Sequence, residues 1–304
     1  MSDFRIAVIG DVHDCWNERD VEYFNASDYD LLLFVGDLPG RTHRSLLKVA
    51  GAIAPVTKPL LLMPGNHDAV SLRQLWGEIT QDRGMIEKQS ANQERRVEDL
   101  GAALGTADRI AGYSIHPQSA DGFAFDIIGA RPHSMGGAGI PGYAPYLKRR
   151  FTVDSQESSA ELLKQIVDRT ENERVLFLAH NGPTGLGAER TSIFGRDFHK
   201  EGGDFGDPDL EAAMAYARER KTVLGMVAGH MHHRCKGGGT RPWLVERAGT
   251  FYLNAARVPR IFKQDGRSCH HHVEIRLNET GARIFEVLWS GTAEERNEKT
   301  ALPV

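Results

Sequence analysis

Cysteine is scarce: Cys15, Cys235 and Cys269 are the only three in 304 residues, and no Cys-x-x-Cys pair occurs. An odd, scattered trio argues against a disulfide framework and for a reducing compartment, and it excludes a thiolate-clip metal site. Long apolar runs are also missing. The stretches at 31–35 and 60–63 stop far short of the roughly 20 residues that a membrane span requires. The chain reaches Gly10-Asp11 before a secretory signal of ordinary length has room to form. A cytoplasmic location without a membrane partner is therefore expected. Charge of one sign is not in excess either: the formal net charge is −4, and no concentrated basic stripe favours nucleic acid as a partner. A bound cation would still create a local positive field that this count misses. Nothing in the composition speaks to oligomeric state.

What is abundant is histidine, 13 residues, and glycine, 32 residues, about a tenth of the chain where roughly 7% is usual. Apolar runs rich in Val, Ile, Leu and Phe recur at 4–9, 31–35, 60–63, 125–128, 175–179, 223–228 and 251–255. They read as strands buried on both faces. Asp207-Pro208 followed by Leu210, Ala213, Met214 and Ala217 predicts a helix with proline in its first turn. Ser158 with Glu161 suggests a capping box ahead of Leu162, Leu163, Ile166 and Val167. Val273, Ile275 and Leu277, then Phe285, Val287 and Trp289, alternate about a turn at 278–281, which predicts a hairpin. Helix and strand thus alternate in a layered α/β architecture with mixed sheets. One domain over residues 1–291 is the simplest organisation. Residues 69–124, charge-rich and almost wholly polar at 89–99, read as a substrate-side insertion, either helices capping the core or a mobile elaboration. Residues 292–304 read as a frayed tail.

The chemistry lies directly after the apolar runs. The first leads into Gly10-Asp11-Val12-His13-Asp14, the second into Gly36-Asp37, the third into Gly65-Asn66-His67-Asp68. Two later runs lead into His180-Asn181 and into Gly229-His230-Met231-His232. A single Gly-Asp after a strand is ordinarily a turn. Five such clusters, each at a strand end, are hard to attribute to independent turns, and ligands of open α/β sheets bind at the carboxyl ends of strands. Carboxylate, imidazole and amide oxygen without thiolate favour Mn, Fe or Zn. In an extended chain Asp11 and His13 point to one side, as do His230 and His232, while Val12 and Met231 face packing. The preceding glycines permit sharp turns and close backbone approach.

With these motifs the sequence resembles the calcineurin-like metallophosphoesterase family, whose pattern is Asp-x-His, Gly-Asp, Gly-Asn-His-Asp or Glu, a later His, and Gly-His-x-His. All five motifs are intact between residues 6 and 255. The resemblance implies a four-layer αββα sandwich, two mixed β-sheets flanked by helices, with a dinuclear metal centre at the strand ends. By position, Asp11, His13, Asp37 and His232 would hold one ion. Asp37 would bridge to a second, completed by Asn66, His180 and His230. His67 matches the family's catalytic histidine, and Asn66 also touches substrate in this reading. Asp68 either orients the His67 imidazole or caps a helix. Leu38-Pro39-Gly40 and Asp68 stand where the serine/threonine protein phosphatase branch carries Asp-Arg-Gly and Glu, which separates the chain from that branch.

The function expected is hydrolysis of a small phosphomonoester by a metal-bridging hydroxide attacking in line. Phosphodiester hydrolysis is the near alternative, and a non-catalytic scaffold that kept the metal shell is a third. Arg41, Arg44, Arg131 and His133 are candidates to grip phosphate, although surface arginine is commonly just solvated. Trp16, Tyr143 and Phe194 are candidates to stack on an aromatic substrate, with packing as the default. Gly-rich turns at 136–142 and 182–187 lack the Gly-Lys-Ser/Thr of a P-loop. His270, His271 and His272 open an alternating strand, so adjacent rings point to opposite faces, and a surface strand is expected there.

Overall fold

Most positions of the strand-forming runs are apolar because both faces of the strands are covered. In the computed structural model, which describes residues 3–40, 43–291 and 293–303, Ile6 and Val8 face a core between two sheets. Their neighbours Ala7 and Ile9 face a helical layer outside. The first half of the chain runs β1 (Phe4–Ile9), α1 (Glu18–Ala26), β2 (Leu31–Phe34), α2 (Leu46–Ile53), β3 (Leu60–Leu62), α3 (Asn66–Ala69), α4 (Leu72–Ile79) and α5 (Arg83–Ala103). It continues through β4 (Ser114–Ala120), β5 (Phe123–Gly129), α6 (Ala144–Phe151), α7 (Gln156–Asp168), β6 (Arg174–Leu178), α8 (Pro208–Arg218) and β7 (Thr222–Ala228). The remainder is all strand: β8 (Leu244–Arg247), β9 (Thr250–Asn254), β10 (Ile261–Gln264), β11 (Arg267–Asn278), β12 (Gly281–Ser290) and β13 (Ala293–Pro303).

The sheets are mixed. One has the order β13-β12-β11-β1-β2-β3, with β10 paired to β11, and the other β4-β5-β6-β7-β9-β8. Strands β1, β2 and β3 are parallel, as are β5, β6, β7 and β9. Phe4, Leu33 and Ile275 of the first sheet meet Phe125, Leu178 and Leu253 of the second in a shared core. Phe24 of α1 and Ile53 of α2 cover the outer face of the first sheet. Leu163 of α7 and Met214 of α8 cover that of the second. The result is the expected αββα sandwich with its C-terminal hairpin.

Several local expectations change. The cap of α7 is Ser155, whose hydroxyl accepts from the Ser158 amide, so the helix begins one turn before the expected box. Residues 69–124 form helices α4 and α5, and their later part supplies β4, which pairs with β5. Residues 293–303 of the tail expected to fray pair with β12 as an added edge strand. His270, His271 and His272 do lie on a strand, but all three are buried. β11 is an interior strand between β1 and β12, and Tyr23, Phe24 and Tyr29 pack on the His272 ring. Among the described residues no helix is long and apolar enough to cross a membrane.

Candidate metal centre

The parallel strands β1, β2 and β3 of one sheet and β6 and β7 of the other release their chains at a common rim. There the backbone turns sharply at the polar residues themselves: His13 has φ 41°, Asp37 φ 49° and His230 φ 65°. Non-glycine residues hold this left-handed conformation only under constraint. The constraint is visible, since the His13 amide donates to the Asp37 carbonyl at 2.9 Å. The His230 amide donates to both carboxylate oxygens of Asp11 at 3.0 and 3.1 Å. The extended geometry expected for Asp11-x-His13 is therefore not the route by which these side chains meet.

They meet nonetheless, in two groups. Ligand atoms of Asp11, His13 and His232 lie within 4.8 Å of one another, and so do those of Asp37, His180 and His230. Asp37 faces both groups. Its Oδ2 is 4.0 Å from His13 Nε2, and its Oδ1 is 3.5 Å from His180 Nε2. Asn66 joins the second group, its Oδ1 2.9 Å from His180 Nε2. Val12 and Met231 point into packing.

Backbone carbonyls fix the imidazole tautomers. His13 Nδ1 donates to the Pro39 carbonyl at 3.0 Å, His180 Nδ1 to Val35 at 2.5 Å, and His230 Nε2 to Met135 at 3.2 Å. Each bond turns the opposite ring nitrogen toward the ligand group, the arrangement that orients imidazole toward a cation. The donor set fits metal ions on a further ground. His13 Nε2 and His232 Nε2 face each other at 3.2 Å, beside Asp11 Oδ2 at 3.9 and 3.5 Å. Two imidazole nitrogens and a carboxylate aimed at one point suit a shared positive charge.

The electrostatics agree. Burial alone would push the carboxyl of Asp37 up, but the His180 charge and hydrogen bond hold it well below the usual carboxylate range. His180, despite burial, is pushed up to about 10 by Asp37 and then Asp11. Desolvation, with the neighbouring His180 charge, pushes His230 down to about 3. The two buried carboxylates, Asp11 and Asp37, thus gather positive charge at this rim. Exposure shows where the site opens: the side chains of Asp11 and His180 are 0% exposed, those of His67 and His232 37% and 42%.

The remaining candidates divide. His67 stands at the open edge, its amide donating to Asp37 Oδ1 at 2.8 Å and its Nε2 4.0 Å from Asp37 Oδ2. Asp68 makes no hydrogen bond to that ring. Its carboxylate accepts from the amides of Gly65 at 2.5 Å, Leu38 at 2.8 Å and Asp37 at 3.2 Å, the capping role rather than the orienting one. Burial, then the Asp37 charge, pushes Asp68 up to about 7. Arg131 is not available to phosphate: it is buried, with Nε 2.7 Å from Asp209 and Nη2 3.1 Å from Asp207. His133 is buried behind the loop, donating from Nδ1 to the Gly65 carbonyl at 2.9 Å and stacked on Tyr143. Arg41 lies outside the described residues. Trp16, Tyr143 and Phe194 are core residues. The orienting carbonyls of Val35, Pro39 and Met135 had no sequence signal, because every residue type carries a carbonyl.

Residues 4–234 match the family model described as calcineurin-like phosphoesterase. The chain belongs to that family. No curated protein sequence matches it. Among solved structures it is similar to a dimetal phosphatase from Danio rerio, with 13% identity, TM-score 0.48, and 99% of this chain and 100% of that one covered. It is also similar to vacuolar protein sorting 29 from Cryptosporidium parvum, with 9% identity, TM-score 0.42 and 100% of both chains covered. Neither likeness assigns an activity.

Proposed function

We propose that the protein is a metal-dependent phosphoric ester hydrolase acting on a small phosphomonoester. The observation that carries this reading is Asp37, which turns one carboxylate oxygen toward each of two histidine-carboxylate groups. In this reading Asp11, His13, Asp37 and His232 hold one ion, and Asp37, Asn66, His180 and His230 the other. When bound, such a pair supplies Lewis acidity toward phosphoryl oxygens and toward water.

The chain's own residues do the rest. Burial of Asp11, Asp37 and His180 closes the inner side of the site, so a phosphoryl group can approach only from the open side. That side carries His67. Its amide is pinned to Asp37, so the partly exposed imidazole is presented to the ester, where it hydrogen-bonds a phosphoryl oxygen or delivers a proton to the departing alkoxide. Asp68 is a positioning residue: by gathering amides from Gly65, Asp37 and Leu38 it locks the His67 turn against the Asp37 turn.

The test is hydrolysis of p-nitrophenyl phosphate against bis-p-nitrophenyl phosphate with Mn²⁺, Zn²⁺ or Fe²⁺. Faster monoester turnover is expected, and faster turnover of the bis ester would make the protein a phosphodiesterase. His67→Ala should lower kcat by about 10²- to 10⁴-fold, the usual range for a positioned acid-base group, with metal content unchanged. Absence of turnover with every ion would leave the metal shell as a non-catalytic scaffold.

A further inference from the structure

Three core aromatics are unavailable to a ligand, yet one large ring near the metal-facing histidines is not in the core. Phe198 is 52% exposed. It is edge-packed on Phe205 at 5.0 Å between centroids, and Phe205 in turn lies nearly parallel to the His230 ring at 6.3 Å. A line of rings therefore leads outward from the second ligand group. Phe205 is half-buried and packs closely on the 136–137 backbone, where a Cβ on Gly136 would meet its ring at 2.6 Å and one on Gly137 at 2.9 Å. Its backbone is fixed as well, its carbonyl accepting from the Gly137 amide at 3.0 Å and from Asn181 Nδ2 at 2.9 Å.

Phe198 is held without being covered. Neighbouring Asp197 accepts from the Lys236 amide at 2.7 Å and pairs with buried Arg241 at 3.3 Å. Arg241 also donates to the carbonyls of Ser192 and Gly195 at 2.6 and 2.9 Å. The 29-residue connection between β6 and α8 would ordinarily be mobile, but here buried charge and main-chain bonds pin the segment that carries the ring. Lys236 Nζ lies 5.7 Å from the Phe198 centroid, and His199 and Lys200 follow it at the surface. An exposed aromatic on a rigid base, with cations around it and a phosphoryl site two rings away, suits a ligand that is both planar and anionic.

We propose that Phe198 is a specificity-determining residue that stacks on a planar aromatic group in the alcohol portion of the phosphoester. The inference rests on the phosphoesterase reading for turnover, and a binding measurement tests it separately. Two substrate pairs isolate the ring: adenosine 5′-monophosphate against ribose 5-phosphate, and phenyl phosphate against ethyl phosphate. In the metal-loaded protein, Phe198→Ala should lower kcat/KM about tenfold for the aromatic member, mainly through KM, in line with the usual effect of removing a stacking partner. The aliphatic member should change less than twofold, and Phe198→Tyr should restore the loss. A loss with the nucleotide assigns a nucleobase, and a loss only with phenyl phosphate assigns an aryl ester. Calorimetric binding of the same four compounds in the His67→Ala background should show the same preference even without turnover. Equal losses within both pairs, no loss in either, or no binding of any of the four would overturn the proposal.

Discussion

Gly229 has no room for a side chain: a Cβ there would meet the Asp11 carboxylate, and the Val35 Cγ2 at 2.6 Å. Asp11 has no other place to go, because both its oxygens already accept the His230 amide. Gly229→Ala should therefore push the carboxylate off the first ligand group while leaving the sheets folded. The expected outcome is metal affinity weakened at least tenfold, as for loss of other supporting contacts, measured by titrating Zn²⁺ or Mn²⁺ into the chelated protein. Unchanged affinity would mean that Asp11 is not a ligand. Gly65 is similar, its Cβ direction blocked by Asp37 and His180. Of the four glycines that precede site residues, Gly36 alone, at φ 101°, needs the left-handed conformation. The Gly-Asp and Gly-His pairs thus made close approach legible from the sequence. The sharp turns were not, because they sit on the candidate ligands His13, Asp37 and His230, whose identity carries no sign of positive φ.

Strand β11 carries its own pH response, away from the ligands. His272 is buried, with Nε2 2.7 Å from the Tyr29 hydroxyl, and His271 Nε2 is 3.5 Å from Glu286. Burial holds both below the usual imidazole range, helped by the charges that face them: His271, Arg260, Arg296 and His270 around His272, Arg257 and Arg260 around His271. Glu286 opposes the shift at His271 but does not reverse it. Below the unfolded value of about 6.5 the unfolded chain therefore takes up protons that the native strand refuses. Their contribution to stability is complete above that pH and is lost as the pH falls toward the depressed native values. Urea unfolding of the chelated protein at pH 7.5 and 5.0 should show the loss. His272→Phe, which removes one of the two sites, should reduce it by up to about 1.4 kcal/mol per pH unit. An identical pH slope in the variant would place the titration elsewhere. Alternation made the strand visible in the sequence, but not its burial, because a run of three histidines has the polarity of a surface edge. Helix α5 is the converse case. Of its 21 residues, only Ser90, Gln93, Leu100 and Gly101 are buried, too little apolar surface for a helical period to stand out. Its anchor is polar, Gln93 Nε2 donating to the Gly142 carbonyl at 2.7 Å.

At the scale of the whole molecule, the two sheets meet through side chains. Their shared core is apolar, and backbone ladders run only within each sheet. The ligand groups are assembled across that boundary: Asp11 and His13 follow β1, Asp37 follows β2 and Asn66 follows β3, whereas His180 follows β6 and His230 and His232 follow β7. An ion held by Asp11, His13, Asp37 and His232 would tie β1 and β2 to β7, and one held by Asp37, Asn66, His180 and His230 would tie β2 and β3 to β6 and β7. Binding that exists only in the folded state stabilises it by mass action, about 2.7 kcal/mol at a hundredfold excess over Kd. In a chain of this size that corresponds to a rise in Tm of roughly 5 °C. Calorimetry with chelator, then with Mn²⁺ or Zn²⁺, should show that rise. Asp37→Asn should reduce it sharply, because the substitution removes charge from both groups at once. His67→Ala should retain the full rise, since its imidazole stands at the open edge and holds neither sheet. A rise that survives Asp37→Asn would locate the stabilising ions outside this rim and remove the physical basis for attack on a phosphoester there.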